Sequence, residues 1–176
     1  MSPALSAFQA LCHEYYTCYV FAADGMEKHV VTLPIDPQKY PNQKIYIGHT
    51  HPDEGNAQSV MSAAKAAAGA QRDGEFPDII AKALLIRMYA EWDERYRHQI
   101  AEEFSVEPKC VRSDLVGDLR RVRHWIVHSK SVVGADVTKI CVLPWKLVEG
   151  DALRVISAMF REFVDCINSM QVKVGT

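Results

Sequence analysis

The sequence predicts a mainly helical, all-α fold: an antiparallel helical bundle carrying a small β-hairpin-like insertion near residues 29–48. Three observations carry this expectation. Apolar residues recur at helical spacing through 5–21, 77–104, 110–130 and 150–171. β-like runs are short and confined to a proline-rich stretch. At 176 residues with 48% hydrophobic and 24% charged side chains, the chain has the size and composition of one compact domain with a real core.

The elements follow in order. Phe8, Leu11, Cys12, Tyr15 and Tyr19 stand at helical spacing, with Gly25 as a candidate stop. HVVTL (29–33) and QKIYIG (43–48) are β-like and are separated by Pro34, Pro37, Pro41 and Asn42, which suggests a hairpin or an extended excursion. HTHPDEGNAQ (49–58) is a polar loop, and the alanine-rich 57–70 is a short helix interrupted by Gly69 and RDGEFP. The strongest helix opens after Pro77, with Ile80, Leu84, Met88, Trp92, Tyr96 and Ile100 stepping by four to about Phe104; at 1.5 Å per residue it is roughly 40 Å long. Val111, Leu115, Leu119, Val122 and Ile126 give the next helix its core stripe. After Gly134, TKICVLP (138–144) reads as strand, and a last helix from Gly150-Asp151 carries Leu153, Ile156, Phe160, Phe163, Ile167 and Met170. The whole is expected to form one domain, 1–176, with an insertion at about 26–58.

Composition narrows the function. The N-terminus has no basic start followed by an apolar run, and no stretch approaches the roughly eighteen apolar residues of a membrane span, so a cytoplasmic protein without a membrane partner is expected. Five cysteines (Cys12, Cys18, Cys110, Cys141 and Cys166) with no CxxC pair indicate reduced thiols, not disulfides or a thiolate zinc site. A net charge of −2 argues against a general nucleic-acid coat. Its distribution is uneven, however. Residues 109–130 hold six basic side chains (Lys109, Arg112, Arg120, Arg121, Arg123, Lys130) against two acids, Asp114 and Asp118. Residues 91–107 reverse the balance, and such a run on a long helix is usually its solvated face. Tyr15, Tyr16 and Tyr19 could stack on bases, but their helical spacing fits core or interface packing better. His13 and His29 read as half-buried or surface residues, and His98, on an acid-rich helix, as an ion-pair partner.

The segment DLRRVRHWIVHSK (118–130) is the most informative. With Val111 as origin and about 100° per residue, the apolar stripe spans about 0–80°, while Arg123 falls near 120°, His124 near 220° and His128 near 260°. The two histidines therefore share a face that is not the core face. An imidazole can take a proton from a ribose 2′-hydroxyl or give one to a leaving 5′-oxygen, and a guanidinium can hold the developing phosphorane charge bidentately. No metal is needed for that chemistry, and no cofactor is expected. Arg123 and His128 lie about 140° apart on one helix, so convergence requires the helix to end near His128, a second copy to bring its motif across, or both.

Arg123-His124-Trp125-Ile126-Val127-His128, late in a helix that follows a long helix with Trp92 and Tyr96, resembles the signature of the HEPN superfamily. The resemblance covers about 76–171, with residues 1–24 as a candidate first helix. It implies a metal-independent endoribonuclease that leaves a 2′,3′-cyclic phosphate at a two-fold homodimer cleft. Arg123 would then stabilise the phosphate, His128 act as general acid/base and His124 fill the polar slot after the arginine, with Arg120, Arg121 and Lys130 binding the RNA substrate. Toxin or defence-effector roles, with an antitoxin or regulatory protein as partner, are what the family adds. A binding-only HEPN-type dimer, taking RNA, nucleotide or protein, is the alternative within the same fold.

His49-Thr50-His51-Pro52 supports a different alternative, a metal-dependent hydrolase, because two histidines one residue apart at a strand end can chelate zinc. The motif resembles that of JAMM metalloproteases. Ser59 lies at that family's spacing, but Ser62 stands where its metal-binding Asp belongs, leaving Asp53, Glu54 or Glu27 to substitute. A solvated polar turn is the plainer reading, and no metal site is assigned.

Overall fold

The computed structural model describes residues 2–32, 35–47 and 58–175, and 62% of it is helical. In chain order the elements are α1 (Pro3–Val31), β1 (Lys44–Ile47), β2 (Ser59–Ser62), α2 (Ala63–Gly69), α3 (Glu75–Glu91), a π-helical segment (Trp92–Tyr96), α4 (Arg97–Glu103), β3 (Val111–Arg112), α5 (Asp114–His128), α6 (Ser157–Asn168) and β4 (Lys173–Val174). The mainly helical expectation is met. The chain divides into two compact units, Met1–Tyr19 with Asp78–Thr176, and Val20–Pro77; the stretch 26–58 falls within the second. No described helix is long and apolar enough to cross a membrane.

In the larger unit, four helical stripes meet. Phe8 and Cys12 of α1, Leu85 and Met88 of α3, Leu119, Val122 and Trp125 of α5, and Phe160, Phe163 and Ile167 of α6 are all essentially inaccessible to solvent. Phe8 packs edge-on against Trp92 at 5.2 Å, and Tyr19 against Phe160 at 4.8 Å, contacts worth more than their buried area alone. Tyr16 and Tyr19 are thus packing residues, both in ring contact with Phe160, as their spacing suggests. Burial pushes the Cys12 thiol up to about 12, so it stays protonated within the core.

The long helical stretch after Pro77 changes character midway. A strict step of four drifts around an α-helix. The π segment, with its wider i→i+5 turn, absorbs the drift and keeps Trp92, Tyr96 and Ile100 on the core side. Towards the start of α3 the buried line is Ala81 and Leu85, one residue beyond the expected Ile80 and Leu84, which are half-buried.

Several boundaries differ from expectation for identifiable reasons. The first helix runs through Gly25 to Val31, since a Cβ at Gly25 would meet nothing and the residue is simply exposed. That removes 29–31 from the expected hairpin. Lys44–Ile47 pairs instead with Ser59–Ser62, antiparallel, with Lys44 opposite Ser62, so the start of the supposed 57–70 helix is a strand. Ser62, the residue at the position of a metal-binding Asp, is the N-cap of α2: its hydroxyl accepts from the Lys65 N–H. Gly74 lets the chain close on the end of α2, where a Cβ would lie 2.4 Å from the Gly69 carbonyl oxygen.

The connection 129–156 is neither the expected strand at 138–144 nor helix from 150. It holds one 3-10 turn, Ala135–Lys139, and is otherwise extended or irregular. Two carboxylates fix it. Asp118 of α5 is wholly buried and accepts backbone N–H bonds from Cys141, Val142 at 2.7 Å and Leu143 at 3.1 Å. Asp78 of α3 accepts from the Val155 N–H at 2.7 Å and pairs with Lys82. Carboxylates replace the missing ladder, because a buried backbone donor must find a partner. The segment cannot therefore enter a sheet or wind into helix, and α6 starts only at Ser157.

Candidate functional site on helix α5

Ser113 precedes α5 in extended conformation, and the helix then runs Asp114–His128 with Leu115, Val116, Leu119, Val122 and Trp125 buried. Its apolar face is claimed by the core. What remains for solvent is Asp114, Arg120, His124, Val127 and His128, with Arg121 and Arg123 half-exposed. At about 100° per residue, Gly117, Arg120, Arg121, His124 and His128 fall within a sector of about 100°.

The imidazoles of His124 and His128 lie side by side, ring centroids 5.0 Å apart and tilted by 40°. Both belong to exposed residues. Arg123 points elsewhere: its guanidinium rests over the ring of Tyr89 on α3, 5.4 Å from the centroid, a cation–π contact that orients the side chain. Of the three expected catalytic residues, two are thus together and the third leaves the helix on another side. Arg120 and Arg121 line one cavity with His124; Lys130 lies beyond the helix end and lines no described cavity.

The helix stops directly after His128. Lys130 and Ser131 both adopt left-handed backbone, with φ 52 and 60, a conformation that costs a non-glycine residue about 1 kcal/mol or more. Surrounding bonds impose it. The Ser131 N–H donates to the Trp125 carbonyl at 2.9 Å, the Ser131 carbonyl accepts from the Leu153 N–H at 2.7 Å, and the Val133 N–H donates to the Asp151 carbonyl at 2.9 Å. Trp125 is locked from the other side, its indole N–H donating to Asp136 at 2.8 Å. The turn holding His128 at a helix end is therefore built into the fold.

Sequence reasoning missed three contributors. Asp118 was counted only as a charge in the basic run, although its position at about 340° borders the apolar stripe and marks it as a candidate for burial. Tyr89, which carries Arg123, lies far away in sequence and gave no signal. Lys139 enters the same cavity as His124 from the 3-10 turn, and only folding brings it there. Ser113 is a further surprise: its hydroxyl is buried without a hydrogen-bond partner and caps nothing.

Among the described residues no group of three His, Cys, Asp or Glu could hold a metal ion. His49 and His51, with Asp53 and Glu54, lie outside the described residues. Comparison of the chain with protein-family models, curated proteins and solved structures finds no match.

Proposed function

We propose that α5 carries the reacting groups of a metal-independent endoribonuclease acting as a homodimer. The observation that carries this reading is the pair of exposed imidazoles, 5.0 Å apart, set at a strained helix end beside Arg120 and Arg121. His128 takes the proton from a ribose 2′-hydroxyl, and the 2′-oxygen attacks the adjacent phosphorus. The phosphorus–5′-oxygen bond breaks, the imidazolium returns its proton to the departing 5′-oxygen, and a 2′,3′-cyclic phosphate remains. His124 orients its neighbour or holds the phosphate, Arg123 stabilises the developing charge, and Arg120, Arg121 and Lys130 bind the strand. Because Arg123 and His128 diverge on the helix, two copies of α5 facing one cleft about a two-fold axis would complete the site.

The experiment is incubation of labelled RNA with the purified protein, with and without EDTA, beside His128→Ala. Cleavage that survives EDTA and fails in His128→Ala supports the reading. EDTA-sensitive hydrolysis would move the chemistry to His49 and His51. One observation favours a second reading, a dimeric binding module without catalysis: Arg123 is engaged with Tyr89 instead of standing beside His128. A stable dimer that binds RNA and leaves it intact would select that alternative.

A further inference from the structure

Two adjoining cavities of about 540 and 380 Å³ lie along α5 and share Gly117, Arg120, Arg121 and Lys139. Their borders come from several elements: Arg112 from β3, Arg120 and Arg121 from α5, and Lys139 from the 3-10 turn. Each carboxylate on the border is already engaged. Asp93 is bonded by Arg97, Asp114 by Lys173 and Asp136 by the Trp125 indole. Among the described residues, by contrast, Arg112, Arg120 and Lys139 enter no ion pair. Among the described residues the groove thus holds three cations outside any ion pair, Arg112, Arg120 and Lys139, against one carboxylate without a cationic partner, Asp136.

Its shape adds to its charge. Gly117 lines both cavities from the start of the second turn of α5, where glycine costs up to about 1 kcal/mol relative to alanine. A Cβ there would meet only the Arg121 guanidinium, at 3.7 Å, so the missing side chain leaves an open saddle instead of relieving a clash. One of the two cavities is bordered by Tyr89, on whose ring Arg123 lies; the other is bordered by His124, in ring contact with His128. Cations spread over three elements along such a path match a row of phosphates better than a single phosphate, which two or three of them would saturate. A positively charged groove that tracks the backbone is the arrangement proteins use to hold a single strand.

We infer that this groove binds the phosphodiester backbone of single-stranded RNA, leading the strand from Arg112 across Gly117 to the imidazoles. The inference rests on the ribonuclease reading for the choice of RNA, and adds a strand-binding track outside the reacting groups. It is tested by fluorescence anisotropy of the full chain with a labelled 2′-O-methyl oligouridine of about twelve nucleotides, within the span such grooves cover. This probe lacks the attacking hydroxyl and reports binding alone.

Arg112→Glu/Lys139→Glu should weaken binding at least tenfold and flatten the salt dependence by about 1.4, at roughly 0.7 per lost phosphate contact. Gly117→Glu, placing a carboxylate in the open saddle, should produce a loss of similar size without removing a cation. Arg161→Glu on α6, the same change of charge elsewhere, should bind as wild type. Thermal melts confirm that each variant is folded. Unchanged binding in both groove variants, an equal loss in Arg161→Glu, or tighter binding of a duplex of the same length would overturn the inference. Wild-type protein that binds the probe through these residues yet leaves RNA intact keeps the groove and removes the ribonuclease reading. RNA cleavage combined with groove-independent binding does the reverse.

Discussion

Helices α5 and α6 perform the same structural task and show solvent very different chemistry. Each is amphipathic, and each sends aromatic or aliphatic side chains into the core of the larger unit, Leu119, Val122 and Trp125 from one and Phe160, Phe163 and Ile167 from the other. The outer side of α6 offers Arg161, Asp165 and Asn168, a mixed and self-compensating set of the kind any solvated helix carries. On α5 the outer side holds two adjacent imidazoles and arginines, with one acid, Asp114, paired to Lys173, and a glycine in the second turn. Core packing does not dictate the imidazole pair or the glycine. The difference teaches where to look: a feature that one helix carries and an equivalent helix does without is a candidate for function.

The largest effect expected from this contrast is on activity. His128→Ala and Arg123→Ala should each lower RNA cleavage by about 10²–10⁴-fold, measured as initial rates on labelled RNA, with melting temperatures near wild type because neither side chain belongs to the core. His124→Ala should lose less. Arg161→Ala and Asp165→Ala on α6 should lose nothing, and His49→Ala and His51→Ala should also stay near wild type. Full activity in His128→Ala would falsify the assignment, and selective loss in the His49 or His51 variants would relocate it.

Carboxylates sharpen the comparison next. Asp118 is buried against three backbone donors, whereas Asp165 is exposed. Asp118→Ala should cost on the order of 3 kcal/mol, since removing one buried acceptor frees three backbone N–H groups, that of Leu143 buried. Asp165→Ala should stay within about 0.5 kcal/mol. Urea denaturation of the two variants side by side decides the matter, and equal stabilities would mean that Asp118 does not fix the 141–143 segment.

Two smaller effects concern the first turns of α5. Gly117→Ala should raise stability by roughly 0.5–1 kcal/mol, because the added methyl has room; a loss would reveal a clash that the 3.7 Å approach to Arg121 does not suggest. Ser113→Ala should change stability by less than about 0.5 kcal/mol, in contrast to the 0.5–2 kcal/mol typical of a working N-cap. Its hydroxyl makes no hydrogen bond to lose. A larger loss in thermal denaturation would show that the hydroxyl caps the helix in solution.

The sequence by itself determined the helical class, the existence of each long amphipathic helix and the exposure of His124 and His128. All of these follow from a periodicity that burial enforces residue by residue. It also left two routes to convergence of Arg123 and His128, a helix end near His128 or a second copy bringing its motif across, alone or together; α5 does end at His128, while Arg123 lies on Tyr89. It could not place the ends of elements whose local signals compete. Residues 29–31 have β propensity but extend α1, and 138–144 is strand-like in composition but is held by Asp118 without a partner strand. Nor could it bring Tyr89 under Arg123, or Lys139 into one cavity with Arg112. Those approaches join residues tens of positions apart, and what makes them is the packing of α3, α5 and the 129–156 connection around a shared core. Periodicity reports which face of a helix is buried; only the tertiary structure decides what stands opposite the other face.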